Sequence, residues 1–154
     1  MPALILDSLQ SLQQYAGREI AVTDWLVMSQ ERVNQFADAT SDHQWIHVDV
    51  ERARRESPFG APVAHGFLTL SLMSGFLRQA IQLPPGVRQT INYGLNRVRF
   101  PAPVRAGEKI RARIRLLSCR ELPDCMEAIY ETTVEAESAQ KPSCVAEWIL
   151  RYYT

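Results

Sequence analysis

The stretch Gly66-Phe-Leu-Thr-Leu-Ser-Leu-Met-Ser-Gly-Phe-Leu-Arg-Gln-Ala-Ile81 is the longest apolar pattern with helical spacing in this 154-residue chain. Leu68, Leu72 and Phe76 recur at the interval that places side chains on one face of a helix. Other apolar residues cover most of the remaining faces, and a helix that is apolar most of the way round is typically buried. Pro84-Pro85-Gly86 ends the pattern. We therefore predict a central buried helix over residues 66–81.

Beyond this helix, apolar and polar residues alternate, which is the spacing of half-buried strands. Arginines separate the apolar positions of Lys109–Leu116, and glutamates occupy the corresponding positions of Met126–Ala136. These segments predict an antiparallel hairpin whose arginines and glutamates pair across the strands. Similar patterns predict strands over Thr90–Phe100 and Ser143–Tyr153.

The predicted elements define the fold class. We expect residues 88–154 to form antiparallel strands, and the whole chain, 1–154, to form a single α+β domain. In such a domain the sheet packs on the central helix, because each element must bury its apolar face against another.

Composition excludes several classes of protein. Formal charge balances at 17 basic and 17 acidic residues, so nothing indicates a nucleic-acid-binding surface or a polybasic membrane patch. Three cysteines without a C-x-x-C pair favour reduced thiols in a cytoplasmic protein. Ile5, Leu9 and Leu12 have helical spacing, so residues 1–17 are expected to form a short amphipathic helix closed by Gly17, and not a signal peptide. No segment reaches the length of a transmembrane span.

The segment 29–66 carries the residues that could perform chemistry. Ser29 predicts the cap of a helix that Thr40-Ser41 ends, because hydroxyl side chains compete for backbone hydrogen bonds. Asp42 and His47 follow on the predicted turn. A carboxylate that orients an imidazole, or shares a water with it, is suited to general acid–base catalysis near neutral pH. In the alternative interpretation Asp42 caps a helical turn and His47 is an ordinary half-buried histidine.

Two segments, Thr40-Ser-Asp-His-Gln-Trp-Ile-His-Val-Asp49 and Gly60-Ala-Pro-Val-Ala-His-Gly66, resemble motifs of the MaoC-like dehydratases, or R-specific enoyl-CoA hydratases, and of their NodN-like branch. The first family motif is small-Gly-Asp-x-Asn-Pro-Ile-His-x-Asp, and the second is Gly-x-x-Ala-His-Gly leading into a helix. The likeness continues through Ile91–Val104 and covers most of the chain. Ser41, Gln44 and Trp45 replace the family's Gly, Asn and Pro, whereas the motif's Asp and His are kept.

The resemblance implies a hotdog fold, in which an antiparallel sheet wraps around the central helix, and a catalytic pair formed by Asp42 and His47. It further implies that the Gly66 N–H binds the substrate oxygen that becomes negative, and that His65, Ser74 and Gln44 help to bind substrate. Packing is the alternative role for His65, and Gly66 is alternatively a plain glycine at a helix start.

The implied reaction is addition of water to a trans-2-enoyl thioester, which gives the R-3-hydroxyacyl thioester, or the reverse dehydration. Coenzyme A is the implied carrier and part of the substrate, and acyl carrier protein is the alternative. No separate cofactor is expected, and hotdog domains usually pair, which implies a homodimer. An acyl-thioesterase and a non-catalytic, acyl-thioester-binding accessory protein of the nodulation type stay open as alternatives.

His43 and His47 are four residues apart, with Asp42 and Asp49 nearby, and these are residue types that bind metal ions. The helical zinc motif H-E-x-x-H requires a glutamate directly after the first histidine, and this chain has Gln44 there. We therefore expect no metal.

Overall fold

The structure is a computed structural model that describes residues 3–154. Near the N-terminus, strand β1 (Leu4–Ile5) pairs in parallel with a second short strand, β4 (Ile81–Gln82). A 3-10 helix (Gln10–Tyr15) follows β1. The chain then enters the principal sheet.

The prediction of one amphipathic helix over residues 1–17 is wrong for the part of it that the structure describes. Leu9 and Leu12 are buried, as their spacing requires, but Ile5 lies in β1 and is 66% exposed. Helical spacing correctly predicted that Leu9 and Leu12 are buried. It could not predict that the backbone of β1 pairs with β4, which is distant in sequence. Gly17 ends the segment with a φ of +79°, the left-handed conformation that glycine adopts without strain.

The principal sheet has six strands. Its strand order is β2-β6-β7-β8-β5, all neighbours are antiparallel, and β3 pairs with β6 beyond the end of β2. The strands are β2 (Arg18–Val22), β3 (Leu26–Val27), β5 (Gln89–Arg99), β6 (Lys109–Glu121), β7 (Met126–Ala136) and β8 (Cys144–Tyr153).

The β6–β7 hairpin confirms the predicted pairing of charged faces. Glu135 accepts hydrogen bonds from Arg111 at 2.9 Å and from Arg113 at 2.6 Å on one side of the sheet. On the other side, Ile110 and Ile114 are fully buried. Alternation with period two therefore places one face of each strand in the core.

Three short helices lie between the first strands and the central helix: α1 (Gln30–Thr40), α2 (Trp45–Val48) and α3 (Val50–Glu56). Ser29 caps α1 as predicted, because its Oγ accepts a hydrogen bond from the Arg32 N–H at 3.2 Å. Ser41 then adopts a left-handed φ of 59°, which turns the chain away from α1.

The central helix consists of two parts, α4 (Gly66–Ser71) and α5 (Met73–Ala80). The prediction of one helix over 66–81 has the right location but is wrong at two points. Leu72 has a ψ of −16°, which departs from α-helical geometry, and the extended Ile81 belongs to β4.

Phe76 of α5 is 1% exposed and belongs to the same core cluster as the inward-facing sheet residues. The sheet therefore packs on the central helix, and the predicted α+β class is confirmed. Within residues 3–154, no helix combines the length and the apolar character needed to cross a bilayer.

Candidate active site

His47 lies in α2, and only 7% of the residue is exposed. Its Nδ1 lies 2.6 Å from the Val63 carbonyl oxygen, which can only accept a hydrogen bond. The neutral ring therefore carries its proton on Nδ1, which donates to Val63, and leaves Nε2 free to accept a proton. Gln30 of α1 also donates to the His47 carbonyl oxygen at 2.7 Å, which ties α2 to α1.

Burial disfavours the charged imidazolium and is the largest cause that lowers the pKa of His47 from its ordinary 6.5. The neighbouring His65 lowers this pKa further, whereas the bond to Val63 and the charge of Asp42 act in the opposite direction. His47 is consequently neutral at physiological pH, as a general base must be.

Asp42 lies in the turn after α1, and its side chain is 55% exposed. One donor or acceptor atom from each of Asp42, His47 and His65 lies within 4.8 Å of the others. Two acceptors that hold the same water lie up to about 5 Å apart, because each hydrogen bond spans about 2.8 Å. The spacing between Asp42 and His47 therefore suits a shared water molecule.

His65 is 4% exposed and contacts both His47 and the turn that carries Asp42. Its ring stacks on the His47 ring with centroids 3.7 Å apart and 25° between the planes. Its Nε2 lies 2.9 Å from the backbone carbonyl oxygen of Asp42, to which it donates. Its Nδ1 is buried and has no hydrogen-bond partner among the described residues.

Gly66 is the first residue of α4, where backbone N–H groups have no acceptor inside the helix. No described residue accepts a hydrogen bond from the Gly66 N–H. The Phe100 ring packs so closely over Gly66 that an added Cβ would lie 3.1 Å from it. Glycine therefore allows close approach and leaves a backbone donor free.

Asp42, His47, His65 and Gly66 line one cleft of about 440 Å³. All four are predicted from the sequence motifs, whereas the remaining lining residues are not: Phe36, Thr40, Phe67 and Phe100. Phe36 has helical spacing and could have been recognised as part of the α1 face that turns toward the motif. Phe67 and Phe100 gave no such signal, because their place depends on how α4 packs against the end of β5.

Ser74 and Gln44 are not brought into this cleft. Ser74 lines a separate groove of about 220 Å³ between α5 and the sheet, together with Arg78 and Asn92. Gln44 is exposed at the start of α2, and its backbone N–H lies 3.4 Å from an Asp42 carboxylate oxygen. Their contributions to substrate binding therefore stay predictions.

Trp45 stands where the family motif has proline, at the first position of α2, where proline is common. The Arg52 guanidinium lies 4.3 Å from the centre of the Trp45 ring, and Arg52 also bonds to Glu56. Trp45 is not among the described residues that line the cleft. Trp45 thus contacts α3 through Arg52 and lies outside the lining of the cleft.

His43 and His47 do not form a pair of metal ligands, because the His43 ring lies 2.7 Å from Asp38 at the surface. His47 and His65 are close, but their ring planes are only 25° from parallel. A metal ion is held at about 2.0–2.1 Å in the plane of each imidazole. Two rings whose centroids are 3.7 Å apart and whose planes are this close to parallel cannot both hold one ion in their planes at that distance.

The fold places a carboxylate beside two imidazoles in one cleft of an α+β scaffold, and comparison with known proteins gives the class. Residues 11–139 match the family model described as MaoC like domain. The chain is 49% identical to 3-hydroxyacyl-thioester dehydratase Z of Mycobacterium tuberculosis over 95% of this chain and 96% of that protein. It is 44% identical to nodulation protein N of Rhizobium meliloti, over 92% of this chain and 89% of that protein.

The fold has solved counterparts. An R-hydratase from Pseudomonas aeruginosa superposes with a TM-score of 0.71 at 23% identity, covering 90% of this chain and 81% of the other. The structure has the hotdog fold that the resemblance implied. The chain belongs to the MaoC-like family and is an enzyme of the hydratase and dehydratase class.

Proposed function

We propose that this enzyme adds water to trans-2-enoyl thioesters of coenzyme A to form R-3-hydroxyacyl thioesters, or catalyses the reverse dehydration. The observation that carries the proposal is the convergence of three groups on one cleft. These are the Nε2 of His47 and the N–H of Gly66, which have no partner among the described residues, and the Asp42 carboxylate, which is close enough to share a water. The R configuration rests on the likeness to the R-specific family.

In the hydration direction, the acid–base pair removes a proton from water as the oxygen bonds to C3. The C2–C3 double-bond electrons move toward the thioester, and negative charge develops on its oxygen. The proton is then returned to C2, so that one water is added in total. General acid–base catalysis of this kind typically contributes about 10²–10⁴-fold in rate.

The Gly66 N–H is positioned to donate a hydrogen bond to the thioester oxygen as it becomes negative. One preorganised donor of this type contributes about 3 kcal/mol in other enzymes. Because the proposed reaction transfers only a proton and water, it requires no separate cofactor, and coenzyme A is part of the substrate.

The first test follows the absorbance of the enoyl-thioester band with purified protein and trans-2-enoyl-CoAs of short, medium and long chain. Asp42→Asn and His47→Gln should each lower kcat by about 10²–10⁴-fold. The matched controls Asp38→Asn and His43→Gln change the same residue types on the same segment and should keep activity, since that pair lies outside the cleft. Chiral analysis of the product should give the R isomer.

Full activity in Asp42→Asn or His47→Gln would refute the assignment of the pair. Release of free thiol in parallel with any absorbance change would favour an acyl-thioesterase. Binding of enoyl-CoA without turnover at any chain length would favour the non-catalytic accessory protein. Repeating the assay with enoyl groups on acyl carrier protein distinguishes the two carriers.

The proposed assembly is a homodimer in which two copies of strand β5 meet. β5 is the last strand of the sheet and has a partner, β8, on one side only among the described strands. Ile91, Tyr93 and Leu95 of this strand are 43%, 56% and 43% exposed. A long edge strand with exposed apolar side chains is a surface at which a second sheet can add.

A further inference from the structure

We infer that His65 is a positioning residue, which holds the Asp42 backbone and the His47 ring in the arrangement needed for the proposed hydration. The inference rests on the proposed function, and it assigns to His65 a role different from the substrate contact that the family resemblance implied. Three contacts of the His65 ring carry it.

The first contact joins two distant parts of the chain. The His65 Nε2–H donates to the Asp42 carbonyl oxygen at 2.9 Å, across 23 residues of sequence. Asp42 directly follows Ser41, whose φ of 59° is unfavourable for a residue with a side chain. Within the turn, the Gln44 N–H lies 3.4 Å from the Asp42 carboxylate, too far for a strong hydrogen bond. The bond from His65 is therefore the principal restraint on the backbone position of Asp42, from which the carboxylate side chain extends.

The second and third contacts fix the imidazoles. One face of the His65 ring stacks on His47 at 3.7 Å, and the Phe36 ring lies 5.0 Å away at a tilt of 55°. Because Val63 holds the Nδ1 of His47 at 2.6 Å, the stack and this bond together leave His47 one ring orientation. The distance and orientation of the His47 Nε2 relative to the Asp42 turn are therefore fixed.

Histidine is the side chain that can make both contacts at once. Its ring supplies a flat face for the stack, and its Nε2–H supplies the donor for Asp42. Within residues 3–154 no group bonds to the buried Nδ1, so the bond to Asp42 is the ring's hydrogen bond to the rest of the site.

Two substitutions separate the contacts. His65→Phe keeps a ring for the stack but loses the donor to Asp42, whereas His65→Gln keeps an N–H at a similar reach but loses the ring. Misplacement of a catalytic group by about 1 Å can cost about 100-fold in rate. We expect His65→Phe to lower kcat by about 10- to 100-fold with little change in KM, and His65→Gln to regain most of that loss.

The pH profile gives a readout that a purely structural role would not move. The titratable groups that influence His47 are Asp42 and His65, and His65 depresses the pKa of His47. In His65→Gln this influence is gone, so the acid limb of kcat/KM should move to higher pH. His43→Gln, which changes a histidine paired with Asp38 outside the cleft, should leave the limb where it is.

A double-mutant cycle decides whether His65 acts through Asp42. In the Asp42→Asn background, His65→Phe should cost no more than about twofold further, because groups that act as a unit are strongly non-additive. An equal loss in both backgrounds, or a raised KM at unchanged kcat, would overturn the inference. If His65→Phe does not fold, loss of activity in a folded His65→Gln would do so. Full activity of Asp42→Asn alone would instead overturn the proposed function.

Discussion

In the proposed mechanism, the pH dependence of activity follows from the protonation state of a single residue, His47. Burial lowers its pKa below 6.5, and the ring must be neutral to accept a proton from water. As pH falls, the base is lost only when the lowered pKa is reached, so hydration should persist at a pH where an exposed histidine is already protonated. We expect the acid limb of kcat/KM to lie below pH 6.5.

The measurement is kcat/KM for a trans-2-enoyl-CoA between about pH 4.5 and 8, a window chosen to bracket the ordinary histidine value. An acid limb at or above 6.5 would contradict the effect of burial on His47. Substituting the exposed His43 with Gln should leave the profile unchanged, because that ring is paired with Asp38 away from the cleft.

Ser41 is the residue with a side chain that adopts a left-handed φ, 59°, among the described residues. A Cβ in this conformation costs roughly 1–2 kcal/mol, and glycine avoids that cost. Comparing Ser41→Gly with Ser41→Ala removes the hydroxyl in both variants and isolates the backbone effect. We expect Ser41→Gly to be more stable than Ser41→Ala by about 1 kcal/mol in urea unfolding. Equal stability would mean that the turn carries no such strain.

Among the helices and strands, the sequence pattern predicted those elements that are determined by interactions between residues close in sequence. The β6–β7 hairpin was predicted because alternation specifies both the buried face and the paired charges, as Arg111 and Glu135 now show. The Ser29 cap of α1 depends on neighbours only three residues away. In contrast, β1 is a strand because Ile81–Gln82 lies beside it, and nothing in residues 1–17 carries that information.

The same limit applies to the site. Asp42, His47, His65 and Gly66 were found because two short motifs contain them, and all four line one cleft. Phe100 lies over Gly66 only because the end of β5 packs against the start of α4. Family likeness also implies a substrate-binding role for Ser74, which α5 places in another groove, and that role stays a prediction.

The contact between α4 and the end of β5 yields a prediction about Gly66. An alanine Cβ would lie 3.1 Å from Phe100, so the partly exposed ring would have to shift by a few tenths of an ångström. We expect Gly66→Ala to fold and to lower kcat about 10-fold or more, because a 1 Å error at the reacting atoms costs up to about 100-fold.

The double variant Gly66→Ala/Phe100→Ala distinguishes two causes of that loss. If the methyl group keeps substrate away from the Gly66 N–H, activity stays low after the ring is removed. If the methyl group acts only by displacing Phe100, the double variant should match Phe100→Ala alone. Steady-state kinetics of the four proteins, each checked for folding by thermal melting, gives the answer.

At the scale of the whole molecule, the sheet has two ends of different character. At one end, β2 and β3 are short and both pair with β6. At the other end, β5 is an 11-residue strand with large apolar side chains exposed. Proteins usually protect such a strand with charges or with a partner, because its backbone groups are free to pair. A second copy of the chain is the partner that we propose.

A charge at the edge should therefore separate the proposed dimer. Leu95 of β5 is 43% exposed, so lysine is tolerated in the isolated protomer but becomes buried where two β5 strands meet. We expect the native protein to have twice the monomer mass in sedimentation velocity, and Leu95→Lys to shift the population toward monomer.

Val27→Lys is the matched control, because Val27 is 50% exposed on β3 at the opposite end of the sheet and should leave the mass unchanged. A monomeric native protein, or equal masses for all three proteins, would place the dimer interface elsewhere or remove it. If both lysine variants are monomeric, the dimer depends on surface hydrophobicity in general and not on β5 in particular.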